Sequence, residues 1–201
     1  MRIESRDCIS EMPVEWIMDI MKVFKTVLLV LIIFILTIGA CNVVIGQETA
    51  DDYFNQGNTH YNKGLYDKAI SDYNKAVEIN PKYAGAYNNR GNAHAGKGFH
   101  DQAIADYNKA IEINPKYADA YYNRGSAYYN KGLYDQAISD YNKAIEINPK
   151  LAEAYYYRGY AYYNKGEYTK AEKDEREAQN LGVRIDPGFL DNLSKDPVKK
   201  Q

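Results

Sequence analysis

Cysteine is nearly missing. The two present, Cys8 and Cys41, lie in the first fifty residues and have no obvious partner, so a disulfide framework and a cysteine-based metal site are both excluded. No excess of one charge exists either, since 25 Lys and Arg face 27 Asp and Glu. From Ala50 to Ile185 the count is 18 of each sign. A neutral segment gains nothing from counterion release on a phosphate backbone, which excludes nucleic acid as a partner. Histidine is scarce, with only His60, His94 and His100, and no further ligands are patterned around them as a metal site requires. They occupy places where other repeats carry tyrosine and are expected as aromatic substitutes in packing positions. No serine–histidine–acid grouping, phosphate loop or HExxH sequence occurs. The chain is therefore expected to be no enzyme and to hold no cofactor and no metal.

One long apolar run is present. Val27 to Ile38 is broken only by Thr37, and apolar character continues with interruptions to Gly46. At ~1.5 Å rise per residue, about 20 such residues cross a bilayer as a helix. Lys22 and Lys25 precede the run, and Glu48, Asp51 and Asp52 follow it. The positive-inside rule then puts the N-terminus in the cytoplasm and everything after the run outside. Three fates stay open. Met21-Lys22-Val23-Phe24-Lys25 suits the n-region of a signal peptide cleaved after Val44-Ile45-Gly46. Ile38-Gly39-Ala40-Cys41 resembles a bacterial lipobox with lipidation at Cys41. An uncleaved anchor over residues 23–46 is the third. The expected location is extracytoplasmic, either membrane-anchored or periplasmic and secreted. Residues 1–20 are expected to be an unstructured extension or the product of a misassigned start, because their acidic excess is atypical before a signal segment.

Tyrosine is abundant: 21 residues, all between Tyr53 and Tyr168. Enrichment confined to one region implies a repeated unit, and the period is 34 residues. Gly57, Gly91, Gly125 and Gly159 recur at that spacing, as do Gly64, Gly98, Gly132 and Gly166. Ala69, Ala103, Ala137 and Ala171 form a third series, and Ala76, Ala110, Ala144 and Ala178 a fourth. Asn80-Pro81, Asn114-Pro115 and Asn148-Pro149 close the first three units, which gives repeats at 50–83, 84–117, 118–151 and 152–185.

Each unit predicts two helices. In the third, a helix over about Asp119 to Lys131 ends at Gly132, suited to a left-handed cap. A second helix over about Asp135 to Ile147 is expected to be capped by Asp135 and stopped by Pro149. Ala137, Ile138, Tyr141, Ala144 and Ile145 form its apolar stripe, which one hairpin cannot bury alone, so neighbours must stack. Repeat four carries Glu172, Glu175 and Gln179 where earlier units are apolar or aromatic, and is expected to end the array with a polar outer face. The tail over 186–201 is polar, with Phe189, Leu190 and Leu193 placed for a capping turn.

This pattern resembles the tetratricopeptide repeat (TPR) family over about two thirds of the chain. The resemblance implies an all-α superhelical solenoid of four helical hairpins, with first helices lining a concave face, preceded here by one hydrophobic helix. It also implies binding of a protein or peptide partner. Candidate groove residues are Asn55, Asn58, Asn89 and Asn92, then Tyr122, Asn123, Ser126 and Tyr129, then Tyr156 and Tyr160. Tyrosine offers large contact area with few rotors and asparagine adaptable hydrogen bonds, which suits an extended peptide. Some TPR domains hold a chaperone's C-terminal carboxylate through lysines and asparagines; Asn58 and Asn89 match, but the lysine positions hold Phe54, Asp119 or neutral residues, so that activity is not implied. A second reading is self-association through the end faces.

One departure from the family pattern stands out. Arg90, Arg124 and Arg158 precede the first glycine of their repeats, where a large apolar residue is usual, and repeat one has Gln56. Second helices carry Asp72, Asp106, Asp140 and Asp174. Because Gln56 has no preceding repeat, each arginine is expected to pair backwards: Asp72 with Arg90, Asp106 with Arg124, and Asp140 with Arg158.

Overall fold

The computed structural model describes residues 13–44 and 48–184, with side chains described to residue 34 in the first stretch. Among the described residues there are nine helices and no strand. They fall into two compact units divided after Glu48.

The first unit is the helix α1, Val14–Val44. Its start at Val14 brings part of the expected N-terminal extension into the helix. Val27, Leu28, Leu29 and Val30 are exposed, as are Leu31, Ile32, Ile33 and Phe34, so the helix presents apolar side chains all round. Among the described residues no helix is long and apolar enough to cross a membrane. Cys8, the Cys41 side chain and Ile45-Gly46 of the cleavage segment lie outside what is described, as does the C-terminal tail with Phe189, Leu190 and Leu193.

The second unit is four α-hairpins in series: α2 (Ala50–Asn62) with α3 (Tyr66–Ile79), α4 (Ala84–Gly96) with α5 (His100–Ile113), α6 (Ala118–Asn130) with α7 (Tyr134–Ile147), and α8 (Ala152–Asn164) with α9 (Tyr168–Asn180). Thr49 starts the array. Its hydroxyl accepts the Asp52 N–H at 3.2 Å, and the Asp52 carboxylate accepts the Thr49 N–H at 2.9 Å. This reciprocal cap satisfies two donors that the first turn leaves open, and the Thr49 N–H, with the Thr49 hydroxyl donating to the same carboxylate at 2.8 Å, holds the Asp52 carboxyl below its ordinary range. Every hairpin then turns alike. Gly64, Gly98, Gly132 and Gly166 have φ of 71° to 78°, and the next residue's N–H returns to the helix, as in Leu133 N–H to the Tyr128 carbonyl at 2.9 Å. After the second helices, the Asn80, Asn114 and Asn148 side chains accept from the backbone of Lys82, Lys116 and Lys150 across the intervening proline. Proline ends the helix and the asparagine closes the turn beyond it.

Asp135 is not the cap expected of it. Leu133 holds the cap position without a side-chain bond, and Asp135 sits in the first turn, where the helix dipole favours an anion. Its carboxylate instead meets Lys165 of the next repeat at 2.6 Å. Lys97 with Asp67 and Lys131 with Asp101 repeat that contact between earlier units.

Within each hairpin the helices close on glycine. A Cβ on Gly91 would lie 2.6 Å from the Tyr107 ring, and one on Gly57 would lie 2.5 Å from Tyr73. Tyr73 and Tyr141 are fully buried, together with Ala69, Ala76, Ala137 and Ala144. The contact is therefore an aromatic ring laid on bare backbone, with small residues keeping the helices close.

That approach decides the arginine pairing. Arg90 and Asp106 flank Gly91 and Tyr107 in sequence, so the hairpin's closest contact brings them together. Arg90 donates through Nε (2.9 Å) and Nη2 (2.5 Å) to Asp106, Arg124 donates twice at 2.7 Å to Asp140, and Arg158 at 2.7 and 2.6 Å to Asp174. The backward pairs Asp72–Arg90, Asp106–Arg124 and Asp140–Arg158 do not form. What the preceding repeat supplies is neutral: Nη1 of Arg90, Arg124 and Arg158 donates to Asn74, Asn108 and Asn142 at 2.5 to 2.6 Å. Asp72 is taken by His60 of its own hairpin, Nδ1 to Oδ2 at 2.6 Å. His60 thus serves as a polar partner in place of arginine rather than as a packing substitute. Burial lowers the His94 pKa.

Repeat four also departs from expectation. Glu175 takes the tyrosine position of α3, α5 and α7 and is fully buried, not on an outer face. Neither carboxylate oxygen has a hydrogen-bond partner, and burial, helped by the neighbouring Asp174 charge, pushes its pKa up to about 7. Aromatic volume comes instead from Tyr160, Tyr162 and Tyr163 of the first helix, which pack with Tyr168 of the second around Ala171.

Candidate interaction groove

Successive first helices α2, α4, α6 and α8 touch one another, and no comparable contact joins successive second helices. The stack is tighter on the first-helix side, which makes that side the inside of its curve. The tyrosine–asparagine face therefore lines a groove.

Its floor is an amide ladder tied to the core. The buried Tyr73 hydroxyl donates to Asn58 Oδ1 at 2.8 Å, Tyr107 to Asn92 Oδ1 at 2.8 Å, and Tyr141 to the Ser126 hydroxyl at 3.2 Å. Asn89 Nδ2 donates to Asn58 Oδ1 at 2.8 Å, and Asn123 Nδ2 to Asn88 Oδ1 at 3.0 Å, each bond crossing to the preceding repeat. Asn164 Nδ2 donates to the Tyr129 hydroxyl at 2.9 Å. Core rings thus set the rotamers of groove amides.

Two hollows open along it. Asn58, Tyr61, Asn62, Asn89 and Asn92 form the smaller. The larger, about 360 Å³, has Asn92, Asn123, Ser126 and Asn130 as its polar lining and Tyr61, Tyr122, Tyr129 and Tyr157 as aromatic walls. Its room comes from Ala95, which lines it together with Gly96. The position of Ala95 holds Tyr61, Tyr129 and Tyr163 in the other repeats, so one missing ring leaves a gap between two that remain. That exception is visible in the sequence once the repeats are aligned, yet it was not among the expected features. Among the described residues no Asp, Glu, Lys, Arg or His lines either hollow. Burial pushes the Tyr61, Tyr122 and Tyr129 hydroxyls above their ordinary range, so all remain protonated donors.

Of the expected groove residues, Asn58, Asn89, Asn92, Tyr122, Asn123, Ser126 and Tyr129 meet in these hollows. Asn55 does not. Its counterparts Asn89 and Asn123 reach back to a preceding repeat, and in repeat one that direction leads to the array's end, where Asn55 joins Asp52, Gln56, Thr59 and His60. Tyr156 and Tyr160 lie outside both hollows and bond each other, hydroxyl to hydroxyl at 3.2 Å; Tyr157 is the ring of repeat four that faces the larger hollow. Among the described residues no group of His, Cys, Asp and Glu is arranged to hold a metal ion.

Comparison with known proteins places this architecture. Family profiles described as tetratricopeptide repeat match residues 118–151 and 140–173, and one described as TPR repeat matches 57–98 and 97–132. A crystal structure of MamA is 34% identical with a TM-score of 0.63, covering 66% of this chain and 77% of that one. A second crystal structure of MamA protein is 32% identical with a TM-score of 0.61, over 69% and 79% of the two chains. MamA 41-end from Desulfovibrio magneticus RS-1, 20% identical with a TM-score of 0.61 over 66% and 75%, shares the fold. No curated protein matches the chain. The chain belongs to the tetratricopeptide repeat family, and is a protein-interaction scaffold in that general sense.

Proposed function

We propose that the array binds a polypeptide along its first-helix groove, outside the cytoplasm, with the N-terminal segment serving export or anchoring. The observation that carries the binding reading is the larger hollow. Four tyrosine walls and fixed amides stand open on a neutral surface, and rigid aromatic area with a few oriented polar groups is how pre-organised sites gain affinity. Capture of a polypeptide by the full-length chain is expected to be lost when Tyr122 and Tyr157 are both changed to alanine. Equal capture by variant and wild type would rule the groove out.

The location rests on the run Val27 to Ile38, flanked by Lys22 and Lys25 before and by Glu48, Asp51 and Asp52 after. Exposed apolar side chains on α1 up to Phe34 are in keeping with insertion into lipid or a translocation channel. Whether the segment is cleaved, lipidated at Cys41 or retained is read from the mass of the mature N-terminus. Alkaline phosphatase fused to the C-terminus is expected to be active; an inactive fusion made at normal levels would contradict export.

A further inference from the structure

We propose that the groove's ligand is an uncharged, proline-rich extended segment, seated with a ring in the gap at Ala95. This rests on the groove reading above and adds the chemistry of the partner. Three observations carry it. The first is the lack of charge: among the described residues only neutral side chains line both hollows, so a charged segment would lose hydration there without gaining a counter-charge.

The second is the balance of donors and acceptors. The Asn58 carbonyl oxygen already accepts two bonds, from Tyr73 and Asn89, and that of Asn92 accepts one from Tyr107. Asn58 is left with N–H alone, and Asn92 with N–H and one lone pair. Amide donors on both side chains favour a backbone that presents carbonyls. A proline-rich chain is such a backbone, since each proline keeps its carbonyl and has no N–H to be left unpaired. The third is shape. The gap at Ala95 and Gly96 lies between Tyr61 and Tyr129, with Tyr122 and Tyr157 alongside. Stiff polyproline segments dock into aromatic-lined grooves because they lose little conformational entropy in doing so.

The test uses the full-length chain in detergent and fluorescent peptides of equal length: alternating alanine and proline, alanine and serine, and glutamate and proline, with an uncharged glucan oligosaccharide as the non-peptide arm. The alanine–proline peptide is expected to bind at least about tenfold tighter than the others, with little change between low and high salt. Ala95→Tyr restores the residue that the other repeats carry and fills the gap; it is expected to abolish binding. Asn92→Ser keeps an acceptor for Tyr107, as Ser126 does for Tyr141, but removes the Nδ2 donor, and is expected to weaken binding about fivefold. Equal affinity for the alanine–proline and alanine–serine peptides, lost on Ala95→Tyr, would overturn the proline assignment and leave the groove reading standing. Tighter binding of the acidic peptide or the glucan would overturn it as well. No binding of any of the peptides would overturn the proline assignment alone, and peptide binding indifferent to both substitutions would overturn both readings.

Discussion

Glu175 is a carboxyl buried where its three counterparts are tyrosines whose hydroxyls reach a groove side chain. The folded chain keeps this proton up to about pH 7, whereas the unfolded chain releases it near its ordinary value of 4.5. Between those values the folded state binds more protons, so stability falls as pH rises through the window and levels off above it. The difference corresponds to about 3 kcal/mol. Glu175→Gln is expected to remove that fall and to raise stability most on the alkaline side, as read by denaturant melts at about pH 5 and about pH 8. Parallel pH profiles for the two proteins would contradict the assignment.

The Arg124–Asp140 pair makes the second residue-scale prediction. Both groups are largely buried and joined by two bonds, so removing one partner strands a charge. Arg124→Ala is expected to destabilise by roughly 2–4 kcal/mol. A double-mutant cycle is expected to give strong coupling for Arg124 with Asp140 and coupling near zero for Arg124 with Asp106. The sequence alone misassigned these partners, because the 34-residue spacing offers each arginine two equivalent aspartates. Only the close approach at glycine distinguishes them. Glu175 was misread for a related reason: a polar residue in a final repeat looks like an outer face until the hairpin's packing is known.

At the scale of the element, what was legible was what is locally encoded. Asn-Pro pairs end helices, glycine takes a left-handed turn, and alanine and glycine series mark close packing, so hairpin number, boundaries and order followed from chemistry within a few residues. The two glycine series have different work, which gives a third prediction. Gly91→Ala places a Cβ 2.6 Å from the Tyr107 ring, with nowhere for that fully enclosed ring to move. Gly98→Ala meets nothing within 4 Å but keeps φ at +78°. The first is expected to cost about 2–3 kcal/mol as overpacking and the second about 1 kcal/mol as backbone strain. Comparable melting curves for the two variants would contradict the ring-on-backbone account of the hairpin.

The whole array acts as a set of rigid hairpins whose core tyrosines hold its surface amides in place. Helical phase alone puts Asn58, Asn92, Tyr122 and Tyr129 on one face, and that face carries the two hollows, Asn58 in the smaller, Tyr122 and Tyr129 in the larger and Asn92 in both. The hollow at Ala95 was harder to foresee because it comes from a departure from the repeat, and averaging the repeats hides it. Asn55 shows the complementary limit. Its position is a groove position only where a preceding hairpin exists. The central claim, that the first-helix face is where a polypeptide docks, is tested most directly by photo-crosslinking in living cells. A photoreactive phenylalanine analogue would be placed at Tyr122 in the groove or at Lys109 on the exposed face of α5. The account predicts a polypeptide adduct from position 122 and none from 109; an adduct from 109 alone, or from neither, would contradict it.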